Sequence, residues 1–270
     1  PQALSSLWMI LEQDLFNQQS RGFAKTPAQG RSRYGDSKSI FQGGYHFQSV
    51  KIITTGTDNK PVESAADTVT TDTRMQIRLT RPLASKGEIR IKMEYAYTIP
   101  EYGADRTGIL NTTNGKIFAI AQWYPRLCVY DDIRGWNTDP YLGAGEFYLE
   151  YGDYNVNITA PSDHVVVSSG ELINPQEVLT AEQLKKYTAA KESDKTIIIK
   201  SKEDLVNPSA RVNKPQLTWK YQVRNSRDFA WAASKAFIWD AARINLPSGK
   251  KIMAMSVYPS ESAGANAWGR

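Results

Sequence analysis

This chain has one cysteine, two histidines and no apolar run of membrane length. With Cys128 alone, no intrachain disulfide can form, and a disulfide-stapled fold is excluded. Its setting, Leu127-Cys128-Val129, reads as a small buried hydrophobe rather than a reactive thiol. His46 and His164 stand far apart, neither with a second ligand type at metal spacing, and no H-E-x-x-H occurs. A catalytic zinc site needs three protein ligands, commonly two of them on one helix in that motif. No metal site is therefore expected within these residues. His164 formally permits Ser-His-Asp catalysis, but a G-x-S-x-G elbow is missing, and so is a glycine-rich phosphate loop. No uninterrupted apolar stretch approaches the roughly 18 residues of a membrane-spanning helix.

Charge of one sign is also scarce. Lys and Arg number 33 and Asp and Glu 28, so 33 minus 28 leaves +5, spread along the chain. Arg21, Lys25, Arg31 and Arg33 fall in a Gly-, Pro- and Ser-rich stretch that reads as a solvated loop. Without a clustered basic face or a known module, nucleic acid is not an expected partner. The first residues show no charged-apolar-small signal pattern, and a start on Pro1 reads as a trimmed or partial chain.

What is present is alternation. At 270 residues, 41% of them hydrophobic, the chain can bury a full core as one large β domain or two smaller ones. Leu7 to Leu11 is a short apolar run that fits a strand or a helical stripe equally well. A short strand is expected around Phe47, Val50 and Ile52, and a polar turn from Thr54 to Asp72. Met75, Ile77 and Leu79 alternate with charged or polar neighbours up to Pro82. In Glu88–Ile99 the residues Ile89, Ile91, Met93, Tyr95 and Tyr97 face one way and Arg90, Lys92 and Glu94 the other. This is the pattern of an antiparallel sheet with one wet face. Later strands are expected at 165–167, 196–200, 217–223 and 252–258, and Ser260 onward reads as the start of a helix. Thr180 and Gln183 form a capping-box pattern at the head of the one clear helix, to about Ala190. About nine strand candidates against one helix predict a mostly β fold.

The densest stretch is Phe118 to Pro161. Ile117 to Ala121 is apolar, Trp123 and Tyr124 follow, and Pro125 stops the run. Asp131, Asp132, Gly135 and Pro140 then mark turns. Two strand-like runs come next, hinged at Gly152-Asp153; in the second, Tyr154, Val156 and Ile158 alternate with polar residues. Asp131 and Asp132 are adjacent and would point to opposite faces of a strand, so a turn or cap role outweighs a shared acid–base or Ca²⁺ site. Trp123, Tyr124, Trp136 and Tyr141 fit either a glycan- or peptide-binding groove or a buried contact.

The order QWYPR, YDD, GW-N-TDPYLG-GEFYLE-GDY-V-IT-P resembles the N-terminal β-domain of bacterial M1-family (gluzincin) zinc metallopeptidases. The likeness extends over most of Leu7 to Phe237 and includes the loop from Pro100, PEYGADRTG. It favours a strand for Leu7–Leu11, because the family carries a similar segment there. It implies a large antiparallel, saddle-like β-sandwich over residues 1–257, its first strands absent. Residues 258–270 would then begin a thermolysin-like catalytic domain. It also implies a parent aminopeptidase with a peptide substrate and with zinc held by ligands outside this chain. These 270 residues would act as scaffold and one wall of the cleft, inactive alone, with the downstream catalytic domain as partner.

In the family a Gln or Glu on the strand before the proline-containing turn helps hold the substrate's free amino end. Gln122 is the only polar residue between Ile117 and Trp123 and is the candidate. Counting back from Asp131 to the family's spacing lands instead near Ala119, so a structural Gln capping the turn before Pro125 stays open. Bacterial members of this branch are often exported, which leaves a periplasmic or extracellular place as one reading. Two alternatives stand beside the enzyme: a non-catalytic β-sandwich binding module, and a relative without its zinc ligands that serves as a scaffold.

Overall fold

The computed structural model describes residues 2–25, 31–32, 35–36, 43–55, 59–100, 106–142 and 147–263. The fold is mostly antiparallel β, and among the described residues one helix has real length, Ala181–Ala190. The chain divides into two compact units. Unit 1 takes residues 1–108 and 122–150, and unit 2 takes 109–121 and 151–270.

In unit 1 the apolar run settles as a strand, Leu4–Ile10, antiparallel to Arg74–Leu83, with Leu7 opposite Ile77 and Met9 opposite Met75. A helical stripe would have spread these side chains around an axis. The two-residue side-chain period instead puts Leu7, Met9, Met75 and Ile77 on one face. A second sheet, in the order Pro61–Ala65, His46–Thr55, Arg90–Ala96, turns Ile52, Ile91 and Met93 toward that face, and the two apolar faces form one core.

The structure corrects several expectations in this unit. Thr54–Asp72 is not only a turn. It holds the strands Pro61–Ala65 and Asp67–Thr71, each on the edge of a sheet. They are polar and largely exposed, so no apolar alternation announces them, although β-branched Thr and Val suit the extended backbone. Asn59, with φ of 60°, makes the left-handed turn between strands. Pro82 does not end its strand, which reaches Leu83. It lies where the pairing jumps from Ser6↔Arg78 to Leu4↔Leu83, a gap in the ladder that suits a residue without an N–H. The stretch with Arg21 and Lys25, read as a solvated loop, opens instead with a short helix, Arg21–Lys25, where the Ser20 hydroxyl oxygen accepts from the Phe23 N–H at 3.0 Å. Most of the PEYGADRTG loop lies outside the described residues.

Unit 2 is built on a second long pairing. Gly152–Pro161 runs antiparallel to Gln216–Ser226, with Ile158 opposite Trp219 and Ala160 opposite Leu217. The Gly152-Asp153 hinge is a bulge inside this strand. The run before it, Phe147–Tyr151, is not a strand. A further sheet places Ile238–Asn245 between Ile197–Lys200 and Lys251–Tyr258. That central strand carries Trp239, fully buried against Tyr187 of the helix (5.7 Å between ring centroids) and against Trp219 (6.5 Å). Sequence reading missed it. Asp240, Arg243 and Asn245 break its apolar pattern, and each finds a partner elsewhere in the chain, Asp240 in Tyr258 and the other two in Asp194. The helix begins with the expected capping box. The Thr180 Oγ1 accepts from Gln183 N–H, and the Gln183 Oε1 accepts from Thr180 N–H. Ser260–Ala263 is a single tight turn, and residues 264–270 lie outside the described ones.

Candidate functional site

The chain leaves the strand Gly115–Ile120 and re-enters unit 1 at Gln122, which sits at φ of 54°. A non-glycine residue in this left-handed region carries a cost of roughly 1–2 kcal/mol, so its surroundings must hold it there. They do so through its backbone. The Gln122 carbonyl accepts from Gln13 Nε2 at 2.9 Å and from the Tyr45 hydroxyl at 3.4 Å. The Gln122 side chain is buried, and its Nε2 has no hydrogen-bond partner among the described residues.

Gln13 belongs to the tight turn Glu12–Phe16, which directly follows the first strand. Its sequence, Glu12-Gln13-Asp14, puts three polar side chains into the interior, each 5% exposed or less. Glu12 receives the Arg126 guanidinium, with Nε at 2.6 Å from Oε1 and Nη2 bonded to the same oxygen. The Arg126 plane also lies 4.7 Å from the centre of the Phe147 ring, whose electron-rich face favours a cation. Asp14 accepts from the Tyr45 N–H at 2.8 Å. Burial pushes the Asp14 carboxyl up to about 6, while the Tyr45 N–H and the charge of His46 pull in the other direction. Burial likewise drives the Tyr45 phenol well above its usual value, so its hydroxyl stays a donor.

The other sequence candidates lie apart from this cluster. Asp131 builds the turn between Tyr130–Asp131 and Gly135–Trp136. Its Oδ1 accepts from the N–H groups of Ile133 (3.0 Å) and Arg134 (2.7 Å), and its Oδ2 from Asn137 Nδ2 (2.7 Å). The Arg134 N–H first, then the Asn137 amide, hold its carboxyl below the usual range. Asp132 is exposed and takes no part, so the pair works as a turn cap. Trp123 packs edge-on against Tyr124 (5.1 Å), Trp136 against Tyr130 (5.2 Å), and Tyr141 tilts onto Phe147 (5.1 Å). All four candidate aromatics are half-buried. Trp136 and Tyr130 line an apolar slot of about 400 Å³ with Leu7, Met9 and Cys128. Cys128 is itself buried, and burial raises its thiol to about 12, which keeps it a protonated hydrophobe. His46 lies on an exposed strand position of unit 1. His164, in unit 2, bonds Asp163 at 2.7 Å and faces Phe118. Among the described residues, no three His, Cys, Asp or Glu side chains gather as a metal site.

Sequence reading found Gln122 but not the residues that hold it. The available signal was an uninterrupted Glu-Gln-Asp placed between two apolar runs, where a solvated loop would be expected to carry Gly or Pro.

No family model matches this chain, and no curated protein does. Among solved structures it is similar to an M1 zinc metallopeptidase from Deinococcus radiodurans, at 12% identity over 96% of this chain and 40% of that one, with a TM-score of 0.45. A mutant of the Deinococcus radiodurans M1 zinc metallopeptidase bound to a Tyr-Ser-Ala substrate gives 13% identity, 98% and 43% coverage and a TM-score of 0.45. A two-domain M1 zinc metallopeptidase mutant bound to L-arginine gives 12%, 96%, 41% and 0.44. The chain spans about two fifths of the length of these structures.

Proposed function

We propose that this chain is the β-scaffold portion of an M1-type zinc aminopeptidase, and that Gln122 meets the free amino end of a peptide substrate. In this reading residues 1–257 are the β-domain, 258–270 lead into the catalytic domain, and one face of the β-domain walls the cleft. The sequence resemblance from QWYPR onward supports it. The observation that carries it is the state of Gln122, a carboxamide two residues past the strand Gly115–Ile120, in the segment where the resemblance implies a substrate contact, with a donor nitrogen that no group among the described residues uses. An amide can turn over to present oxygen to an ammonium and nitrogen to a carbonyl. Among the described residues no set of side chains fits a zinc site, and in this reading the zinc ligands lie in the catalytic domain.

The test uses the complete protein that carries this chain, with aminoacyl p-nitroanilides as substrates and elemental analysis for zinc. About one zinc per chain and hydrolysis of the anilides are expected. Gln122→Ala should raise KM about tenfold or more, since a hydrogen bond to a charged group is worth about 1.5–3 kcal/mol. A complete protein without zinc or hydrolysis would overturn the enzyme reading and leave a binding or scaffold module.

A further inference from the structure

The Glu12–Phe16 turn grips the pentapeptide Gln122-Trp123-Tyr124-Pro125-Arg126 at both ends. Glu12 takes the Arg126 guanidinium, and Gln13 donates to the Gln122 carbonyl. Gln13 has little freedom to do otherwise, because both of its neighbours are anchored, Glu12 on Arg126 and Asp14 on the Tyr45 N–H. Tyr45, fixed in turn by Asp14 and packed edge-on against Tyr95 and Tyr97, brings its hydroxyl to the same carbonyl. The φ of residue 122 is thus set by contacts to its own backbone, and φ determines where its Cβ, and hence its carboxamide, points.

We infer that Gln13 is a positioning residue: with Tyr45 it clamps the Gln122 carbonyl, keeps Gln122 left-handed and aims the Gln122 carboxamide at the substrate's amino end. This rests on the reading of Gln122 given above. Glutamine is suited to the task. The clamp needs an N–H donor on a side chain that stays uncharged in the interior, which neither Glu nor Lys supplies.

The experiment is a double-mutant cycle in the complete protein, with L-arginyl and L-leucyl p-nitroanilide as probes. Gln13→Leu keeps the bulk and removes the donor. It should raise KM about fivefold at unchanged kcat, the loss of one ordinary hydrogen bond. In a Gln122→Ala background it should add nothing. Tyr45→Phe, which removes only the hydroxyl, should shift KM the same way by about twofold and serves if Gln13→Leu fails to fold. Equal effects with and without the Gln122 side chain would overturn the clamp, as would a loss in kcat alone. If Gln122→Ala raises KM while Gln13→Leu is silent, the clamp fails and the substrate contact survives. If Gln122→Ala is silent, the substrate contact fails. A crystal structure of the Gln13→Leu variant then decides the clamp itself: residue 122 still left-handed would overturn it, and relaxation to negative φ would uphold it.

Discussion

Replacing Asp14 with Asn should make the protein more stable at neutral pH, against the usual result of altering a buried, hydrogen-bonded residue. The folded protein raises the Asp14 carboxyl from 3.8 to about 6, because burial opposes its charge more than the Tyr45 N–H favours it. A group raised in this way contributes its stability in the protonated form. That contribution is fully present below the unfolded value near 3.8 and is lost as pH rises through about 6. A shift of about two units at about 1.4 kcal/mol each gives a loss of about 3 kcal/mol. This is a large part of the 5–15 kcal/mol typical of a domain. Asn is neutral at every pH and keeps an oxygen for the Tyr45 N–H. Urea unfolding of the two proteins at pH 4, 5, 6, 7 and 8 should show a difference near zero at pH 4. The variant's advantage should grow through pH 6 and level off above it at about 2–3 kcal/mol. A difference that does not change with pH would refute the reasoning, as would a variant less stable at pH 8 by the same amount as at pH 4.

Three further outcomes follow from named contacts. Glu12→Ala strands the Arg126 guanidinium in the interior and should cost about 3–5 kcal/mol in the same assay, whereas Glu12→Leu combined with Arg126→Met should recover most of it. An equal loss in the double variant would show that the pair's charge is not what the site requires. Gly170→Ala should destabilise unit 2 by about 1–3 kcal/mol or more, because the site has φ of 85° and a Cβ would stand 2.4 Å from the Gln222 carbonyl oxygen. Thermal unfolding measures it, and an unchanged midpoint would contradict the geometry. Cys128 should ignore Ellman's reagent at pH 8 in the native state and react fully in guanidinium. Fast native labelling would contradict its burial.

Legibility in the sequence tracked how much each element relies on its own side chains. Arg90–Ala96 and Gln216–Ser226 were plain from alternation, because one face of each meets a core and the other meets water. The capping box of Thr180 and Gln183 was plain because it is wholly local. Asp67–Thr71 was hidden because a polar edge strand owes its conformation to the neighbour it pairs with, Arg74–Leu83. Ile238–Asn245 was hidden for the opposite reason: it is a central strand whose charged positions find partners that no local pattern encodes. At the site, Gln122 stood out as one polar residue in an apolar run. Its contacts with Gln13, 109 residues earlier, and with Tyr45, 77 residues earlier, could not be read from spacing.

The interleaving of the two units has a consequence for synthesis. Unit 1 is made of residues 1–108 and 122–150, so it cannot close until the ribosome has passed through a segment of unit 2. Glu12 and Arg126 are 114 residues apart. At roughly 5–20 residues per second, Glu12 waits on the order of ten seconds before its partner exists. During that interval the apolar strand Leu4–Ile10 can pair with Arg74–Leu83, but the turn behind it still holds a carboxylate that remains hydrated. The buried ion pair therefore can form only after the pentapeptide that ends in Arg126 has been made.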